Sequence, residues 1–434
     1  MTTRDLAVRE AVAQGVVGPR DPLAGLLDVA HIRRTTTALH TAFPGPGTLH
    51  TFAVKAAPLI PVLHLLAGAR IGCEVASPGE LALARRAGVP PDRIVLDSPA
   101  KTTDELREAL AHGIAVNADN GQELARLDRL TGEAPTASPI GIRVNPQIGT
   151  GSIAALSTAT ETSKFGVALR DEGAREWLVR AFVERPWLTR LHAHVGSQGC
   201  PPPLMAEGVR AVYELAEEIN RTVGRRQVRT LDIGGGLPVN FASDEVTPTF
   251  EEYARLLAAT VPGLFDGRYG VVTEFGRSLL AKSGMVLARV EYTKSAGGRR
   301  IAVTHAGAQV ATRTVFAPES WPLRVLAYDA QGRPKRGVPV PQTVAGPCCF
   351  AGDLIAVDRP LPPLEPGDHV ALLDTGAYYF SNHFAYNSLP RPGVYGYAST
   401  EGHTRFVTVR APQSLDELVA ESGADHATGL SALR

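Results

Sequence analysis

Lys55, Glu74, Arg143, His194, the run Gly234-Gly-Gly236, Glu274 and Arg277 each stand directly after a short apolar or β-branched run, and each is a residue type that binds or moves charge. A lysine at a strand end is ordinarily a solvated ammonium. One that is partly desolvated near other cations can be neutral enough to form an imine with an aldehyde, which is the chemistry of a carbonyl-bearing cofactor. The run Leu231-Asp-Ile-Gly-Gly-Gly236 suits an anion, because residues without side chains let successive backbone N–H groups turn toward one phosphate. A tight strand-to-helix turn is the alternative reading of the same glycines. His192 and His194 are two apart, so strand alternation sends both to one face, and either is a core histidine or a functional one. A zinc site would need a third ligand that the neighbouring sequence lacks, so no metal is expected.

These residues need elements to position them. From Thr48 onward short β-branched runs alternate with amphipathic stretches, the pattern of parallel strands joined by helical crossovers. The strands expected are Thr51 to Val54, Ile71 to Ala76, Ile94 to Leu96, Ala115 to Asn117, Ile140 to Val144, Leu191 to Val195, Leu231 to Ile233 and Val271 to Thr273. That is a (β/α)8 barrel's worth in about 230 residues, and in such a barrel the active site lies where the strands end. Helices are expected at Pro78 to Arg86 after a Ser77 cap, at Thr102 to Ala111, and at Leu204 to Ile219. A Rossmann sheet would want a GxGxxG turn after its first strand, and none occurs.

After Ser283 short strands alternate with proline and glycine and no long helix is evident before the tail, which predicts a second, β domain of sandwich or barrel-like form. Its expected strands are Met285 to Tyr292, Ile301 to Thr304, Arg324 to Tyr328, Asp353 to Val357, His369 to Leu373 and Phe406 to Val409. The resulting division is 1–45, a segment with a helix Val29 to Ala42 that joins the β domain; 46–282, the barrel; and 283–434, the β domain. Pro146 to Ser163 is rich in small residues and long for a loop, the signature of a lid or a disordered segment.

At 434 residues, with 44% hydrophobic and 20% charged side chains, the chain has the composition of an ordinary globular protein. Acids and bases balance at 44 each, so no net field draws it to nucleic acid or to an anionic membrane, and a small-molecule partner is expected. No apolar run reaches the ~18 residues of a membrane span. The opening Met-Thr-Thr-Arg-Asp lacks a signal-peptide core, which leads to the expectation of a cytoplasmic protein. The four cysteines, Cys73, Cys200, Cys348 and Cys349, fit neither a disulfide framework nor a CxxC metal site, and Cys348 and Cys349 read as two small buried hydrophobes.

Taken in order, Phe52-Ala-Val-Lys-Ala56, Glu74-Val-Ala-Ser-Pro-Gly-Glu-Leu81, Ser163-Lys-Phe-Gly166, His194-Val-Gly-Ser-Gln198, the Gly234 triplet, Glu274-Phe-Gly-Arg277, Gly346-Pro-Cys-Cys349 and Asp374-Thr-Gly-Ala-Tyr378 resemble the barrel-type decarboxylases that use pyridoxal phosphate. Diaminopimelate and ornithine decarboxylases are the well-known members. The resemblance implies that Lys55 carries the cofactor as a Schiff base, His194 stacks on its ring and Glu274 pairs with its pyridine nitrogen. It further implies that Ser197, Gly235, Gly236, Gly276, Arg277 and Tyr378 hold the phosphate, and that Arg313, Phe350 and Tyr378 meet the substrate. Cys349, by the same resemblance, reaches the site of a partner subunit in a homodimer and returns a proton to Cα.

Two departures from the family pattern bear on substrate. An acid that meets the substrate's distal amino group usually follows the motif cysteine, and here Phe350 follows Cys349. The arginine-proline-aliphatic-tyrosine loop of the family reads Arg313-Thr-Val-Phe316. Both changes point to a non-standard amino acid whose far end is apolar or conjugated, as in siderophore and antibiotic branches, with meso-diaminopimelate as the alternative. A racemase on the same barrel would use a tyrosine where this chain has the Cys349 motif, and a non-catalytic relative would not need Lys55, Glu274 and Cys349 together.

Overall fold

The computed structural model describes residues 2–43, 45, 47–153, 156–400 and 402–433. They form two compact units, Ile32–Leu280 and Met1–His31 with Ala281–Arg434. The boundary at His31 falls earlier than residue 45, so most of the helix Val29–Ala42 packs with the first unit.

That first unit is a closed barrel of eight parallel strands: Thr48–Ala53, Gly72–Val75, Ile94–Leu96, Ala115–Ala118, Ile140–Asn145, Leu188–His192, Thr230–Asp232 and Gly270–Phe275. Each pairs with the next, and the eighth pairs with the first. A short strand Val167–Ala168 adds to the fifth. The third, fourth and fifth strands are buried along their whole length, which is why they read as apolar runs rather than as alternating ones. The crossover helices start where their caps dictate. Ser77 Oγ accepts from Glu80 N at 3.2 Å to open Pro78–Arg86, and Thr102 and Glu105 form a reciprocal capping box ahead of Thr103–Ala111. Inside the barrel Gly141 is obligatory: a Cβ there would lie 2.7 Å from both the Asn117 Oδ1 and Arg190 Cβ atoms that cross its strand.

The second unit contains a nine-stranded, mostly antiparallel sheet. Its spine is Gly284–Ala296, which pairs with the N-terminal strand Leu23–Asp28, with His369–Leu373 and, past an irregularity at Val290 to Tyr292, with Arg299–Thr304. The turn of that last hairpin is Gly297-Gly298, both at positive φ (57° and 76°), the two-residue loop that the twist of antiparallel strands favours. Leu23–Asp28 also pairs in parallel with Gly393–Thr400, so this early strand is held between two strands that follow the barrel in sequence. Ala7, Val8, Ala11, Leu26, Met285, Leu287, Tyr328 and Leu373 form this unit's core.

Candidate active site

The register of the barrel brings the charged strand ends together. The first strand pairs with the eighth, Thr51 opposite Glu274, and with the second, Ala53 opposite Glu74. Lys55 lies in the 3-10 turn Val54–Ala56 just beyond, so it emerges between two strands that each carry a carboxylate. Its Nζ is 2.6 Å from Glu74 Oε2, with the lysine side chain 45% exposed and that of Glu74 1% exposed. Burial raises the Glu74 carboxyl above its ordinary range, and the Lys55 charge pulls it back. Glu74 is thus placed to take a proton from Lys55.

His192 and His194 share one face, as alternation predicts: ring nitrogens of the two lie 3.5 and 3.9 Å from the same oxygen, Glu274 Oε2. They differ in depth: His192, the last residue of the sixth strand, is fully buried inside the barrel, while His194, just past the strand end, keeps 18% of its side chain exposed. Gly235 N donates to His194 Nδ1 at 3.2 Å, which makes Nδ1 the unprotonated nitrogen of that ring. Burial first, then the positive Arg143 and Lys55, hold the His194 imidazole well below its ordinary pKa, so it is neutral. The expected phosphate cradle is therefore smaller than the glycine count suggests: the Gly235 N–H serves His194, whereas Gly236 N has no such partner among the described residues. The triplet is packed tightly enough that a Cβ on Gly235 would lie 2.0 Å from Glu274 O, and one on Gly236 1.8 Å from Gly196 O.

Pro146 to Ser163 is tied down rather than loose, although Ala154 and Ala155 lie outside the described residues. Thr158 N and Ala159 N both donate to Val195 O at 3.1 Å, Ser197 N donates to Leu156 O at 3.1 Å, and Thr158 Oγ1 donates to His194 O. The segment fixes the backbone on which His194 and Ser197 stand. The third ligand thought absent near the histidines is supplied by the fold: atoms of Asp97, His192 and Glu274 lie within 4.8 Å of one another. Arg143 already sits on Asp97 at 3.1 Å, so a guanidinium occupies the position of a counter-charge there.

In the second unit, Cys348 and Cys349 differ. Cys348 is buried, with its thiol pushed up to about 11 chiefly by burial, whereas Cys349 is exposed, which corrects the reading of both as core residues. The turn that presents Cys349 is built on Asp353, a residue the sequence did not single out. Its carboxylate accepts from Ala308 N at 2.6 Å and Cys348 N at 2.7 Å, joining the turn to the start of the helix Ala308–Phe316. On that helix Arg313 lies between Tyr378 and Trp321, 4.5 and 5.0 Å from their ring centres, with Nη1 buried and unpartnered among the described residues. The same helix ends in Phe316, stacked on Phe350 at 5.5 Å; Phe384 and Tyr386 complete an aromatic group. An Asp353→Ala chain should lose about 2–4 kcal/mol, because two buried N–H groups would be left without an acceptor. Thermal melts and the rate of Cys349 alkylation measure this; an unchanged melt with unchanged thiol reactivity would show that the carboxylate is not the anchor.

The sequence profile of the family described as "Pyridoxal-dependent decarboxylase, pyridoxal binding domain" matches residues 29–281, the barrel and the helix before it. The chain belongs to this family. It is 31% identical over 394 residues to the diaminopimelate decarboxylase of Pseudomonas aeruginosa, covering 90% of each, and 30% identical over 363 residues to that of Aquifex aeolicus, covering 83% of each. The crystal structure of diaminopimelate decarboxylase from Helicobacter pylori complexed with L-lysine superimposes with a TM-score of 0.82 at 27% identity, covering 96% of this chain and 99% of that one. The chain is accordingly a pyridoxal-phosphate-dependent amino-acid decarboxylase, and its substrates are small-molecule amino acids. Among the described residues no helix is long and apolar enough to cross a membrane.

The residues fit the cofactor. Glu274 is 3% exposed, and its Oε1 has no hydrogen-bond partner among the described residues, so a buried acceptor is available for a protonated ring nitrogen. The Lys55 amine stands after the adjoining first strand, and the neutral His194 ring, two strands away on the other side, lies 3.9 Å from the other Glu274 oxygen, Oε2.

Proposed function

We propose that the chain removes the α-carboxylate of an amino acid at a site built from Lys55, His194 and Glu274 of one subunit with Cys349, Arg313 and Tyr378, as a homodimer in which Cys349 comes from the partner copy. The observation that carries this reading is the buried, unpartnered Glu274 Oε1, on the strand beside the one that carries Lys55. Bound pyridoxal phosphate supplies a sink for the electron pair that departing carbon dioxide leaves. The protein's own residues do the rest. Lys55 gives up a proton to Glu74 and covalently holds the cofactor. Glu274 keeps a proton on the ring nitrogen, His194 packs against the ring face, and Ser197, Gly236, Gly276 and Arg277 bind phosphate, with Gly235 positioning His194. Arg313, its guanidinium over the Tyr378 and Trp321 rings and one nitrogen unpartnered among the described residues, receives a substrate carboxylate. Cys349 returns the proton to Cα.

For the substrate, the names of the relatives support meso-diaminopimelate better than a non-standard amino acid. A second reading rests on one specific observation: the residue after Cys349 is Phe350, stacked on Phe316, so this position offers no carboxylate to a distal ammonium. Burying that ammonium unpaired would cost several kcal/mol. Carbon dioxide release measured for meso-diaminopimelate, L-lysine, L-ornithine and Nε-acylated lysine decides between them. Diaminopimelate is expected to be turned over with the highest kcat/KM. An acylated or apolar-ended substrate more than about tenfold better would hand the assignment to the second reading, and Phe350→Glu should then raise turnover of the diamino acids.

A further inference from the structure

Within the barrel, side chains on or directly after four strands form a line of alternating charge. Arg143 Nη1 is 3.1 Å from Asp97 Oδ2, Asp97 Oδ1 is 3.4 Å from His192 Nδ1, and His192 Nε2 is 3.5 Å from Glu274 Oε2. All four are buried, His192 completely. Its two nitrogens therefore face a carboxylate each, at ion-pair rather than hydrogen-bond distances. Asp232, opposite His192 in the strand ladder, is held by Arg190 at 3.1 Å and by Asn117 Nδ2 at 3.2 Å and adds to the negative field around the ring. Arg143 and Lys55 act on the neighbouring His194, and Lys101 acts on Asp97.

None of the roles so far uses His192. An uncharged imidazole sealed between two carboxylates would leave at least one of them without a counter-charge, which a barrel interior does not tolerate well. We infer that His192 is a positioning residue: as an imidazolium between Asp97 and Glu274 it fixes one oxygen of the Glu274 carboxylate and turns the other toward the cofactor's ring nitrogen, so that the shared proton rests on nitrogen. Burial alone would lower the proton affinity of His192, but Asp97 first, then Glu274 and Asp232, outweigh it and raise its pKa to about 10. Asp97 is in turn held well below its usual range: burial opposes this, and His192 and Arg143 prevail. Arg143 is thus the anchor of the line and Glu274 its working end. With the positive charge of His192 removed, the proton between Glu274 and the ring nitrogen moves toward the carboxylate, and the cofactor loses its power to accept electrons without losing its place.

This inference rests on Glu274 facing the ring nitrogen, and the test separates the two. The enzyme is reconstituted with cofactor labelled at its ring nitrogen with 15N, and the nitrogen's chemical shift is read together with kcat and KM in wild type, Glu274→Gln, His192→Gln and Asp97→Asn. In Glu274→Gln the shift should move to that of an unprotonated pyridine; no movement there overturns the Glu274 role itself. In His192→Gln the shift should move the same way, kcat should fall by about ten- to a hundredfold, equivalent to one or two pKa units, and KM should stay within about twofold. Asp97→Asn keeps the His192 ring but removes its balancing anion, and should shift the signal in the same direction should His192→Gln not fold. A shift that responds to Glu274→Gln and to neither other variant would overturn the inference and leave His192 a packing residue.

Discussion

Replacing Lys55 by alanine should lower carbon dioxide release by about a thousandfold or more, the scale expected when a covalently acting residue is lost. Borohydride treatment of the wild-type holoenzyme should fix the cofactor on Lys55. The other five lysines are poorly placed to substitute. Lys101 is buried 3.1 Å from Glu123, Lys282 is paired with Asp374 at 3.3 Å, and Lys335 is bound to Asp368. Lys164 lies over the Phe165 ring, and Lys294 is on the outer part of the hairpin strand Gly284–Ala296. Only Lys55 is half-exposed at a barrel strand end with a buried carboxylate ready to take its proton. Peptide mapping that placed the reduced adduct on any of the other five would overturn the assignment.

Cys349→Ala should lower kcat by about 10²- to 10⁴-fold, the usual contribution of a positioned acid, with cofactor absorbance unchanged. Because Lys55 and Cys349 are proposed to meet across a dimer, equal mixing of Lys55→Ala and Cys349→Ala chains provides a second reading of the same residue. Half of the exchanged dimers would be hybrids with one of their two sites intact, so about a quarter of wild-type activity should return. If both residues served the same subunit's site, every site in the hybrid would carry a defect and nothing would return. Demonstrated subunit exchange with no recovered activity therefore counts against the shared site.

How much of this was legible beforehand depended on the range of the interactions. Strands and helices governed by local pattern came through: Ile94–Leu96, His369–Leu373 and Pro78–Arg86 lie where apolar runs and the Ser77 cap put them. Leu23–Asp28 was not expected as a strand, because its partners are Gly284–Ala296 and Gly393–Thr400, far away in sequence, and the short run Leu-Ala-Gly-Leu-Leu-Asp has no period of its own. Ala308–Phe316 was not expected as a helix: Arg313 to Phe316 entered only by comparison with the family's substrate loop, and threonines and valines disfavour a helix; it forms one nonetheless, broken at Ala311 (φ −136°), with Asp353 satisfying the N–H of its first residue, Ala308. Alternation put the two histidines on one face, and both reach Glu274 Oε2, at 3.5 and 3.9 Å; which of them is the sealed one depends on where the strand ends, at His192, and that alternation does not tell. Asp97 and Asp353 carry no motif at all; their importance lies in partners 46 and 45 residues away.

The placement of Leu23–Asp28 between strands that follow the barrel in sequence also sets a timetable for synthesis. This segment leaves the ribosome more than 250 residues before its first partner at Gly284 and later still before its second at Gly393. At about 5–20 residues per second, that interval is on the order of ten to fifty seconds. The barrel's eighth strand, ending at Phe275, appears within it, so the first unit has all its strands while the β unit is still half-made. During that wait a strand with four consecutive buried positions, Ala24, Gly25, Leu26 and Leu27, has neither edge covered. An open apolar edge is what chaperones and aggregation compete for. The N-terminal strand thus stays exposed until residues beyond the barrel have been made, and it is that delay, rather than the folding of the barrel, that leaves this edge open.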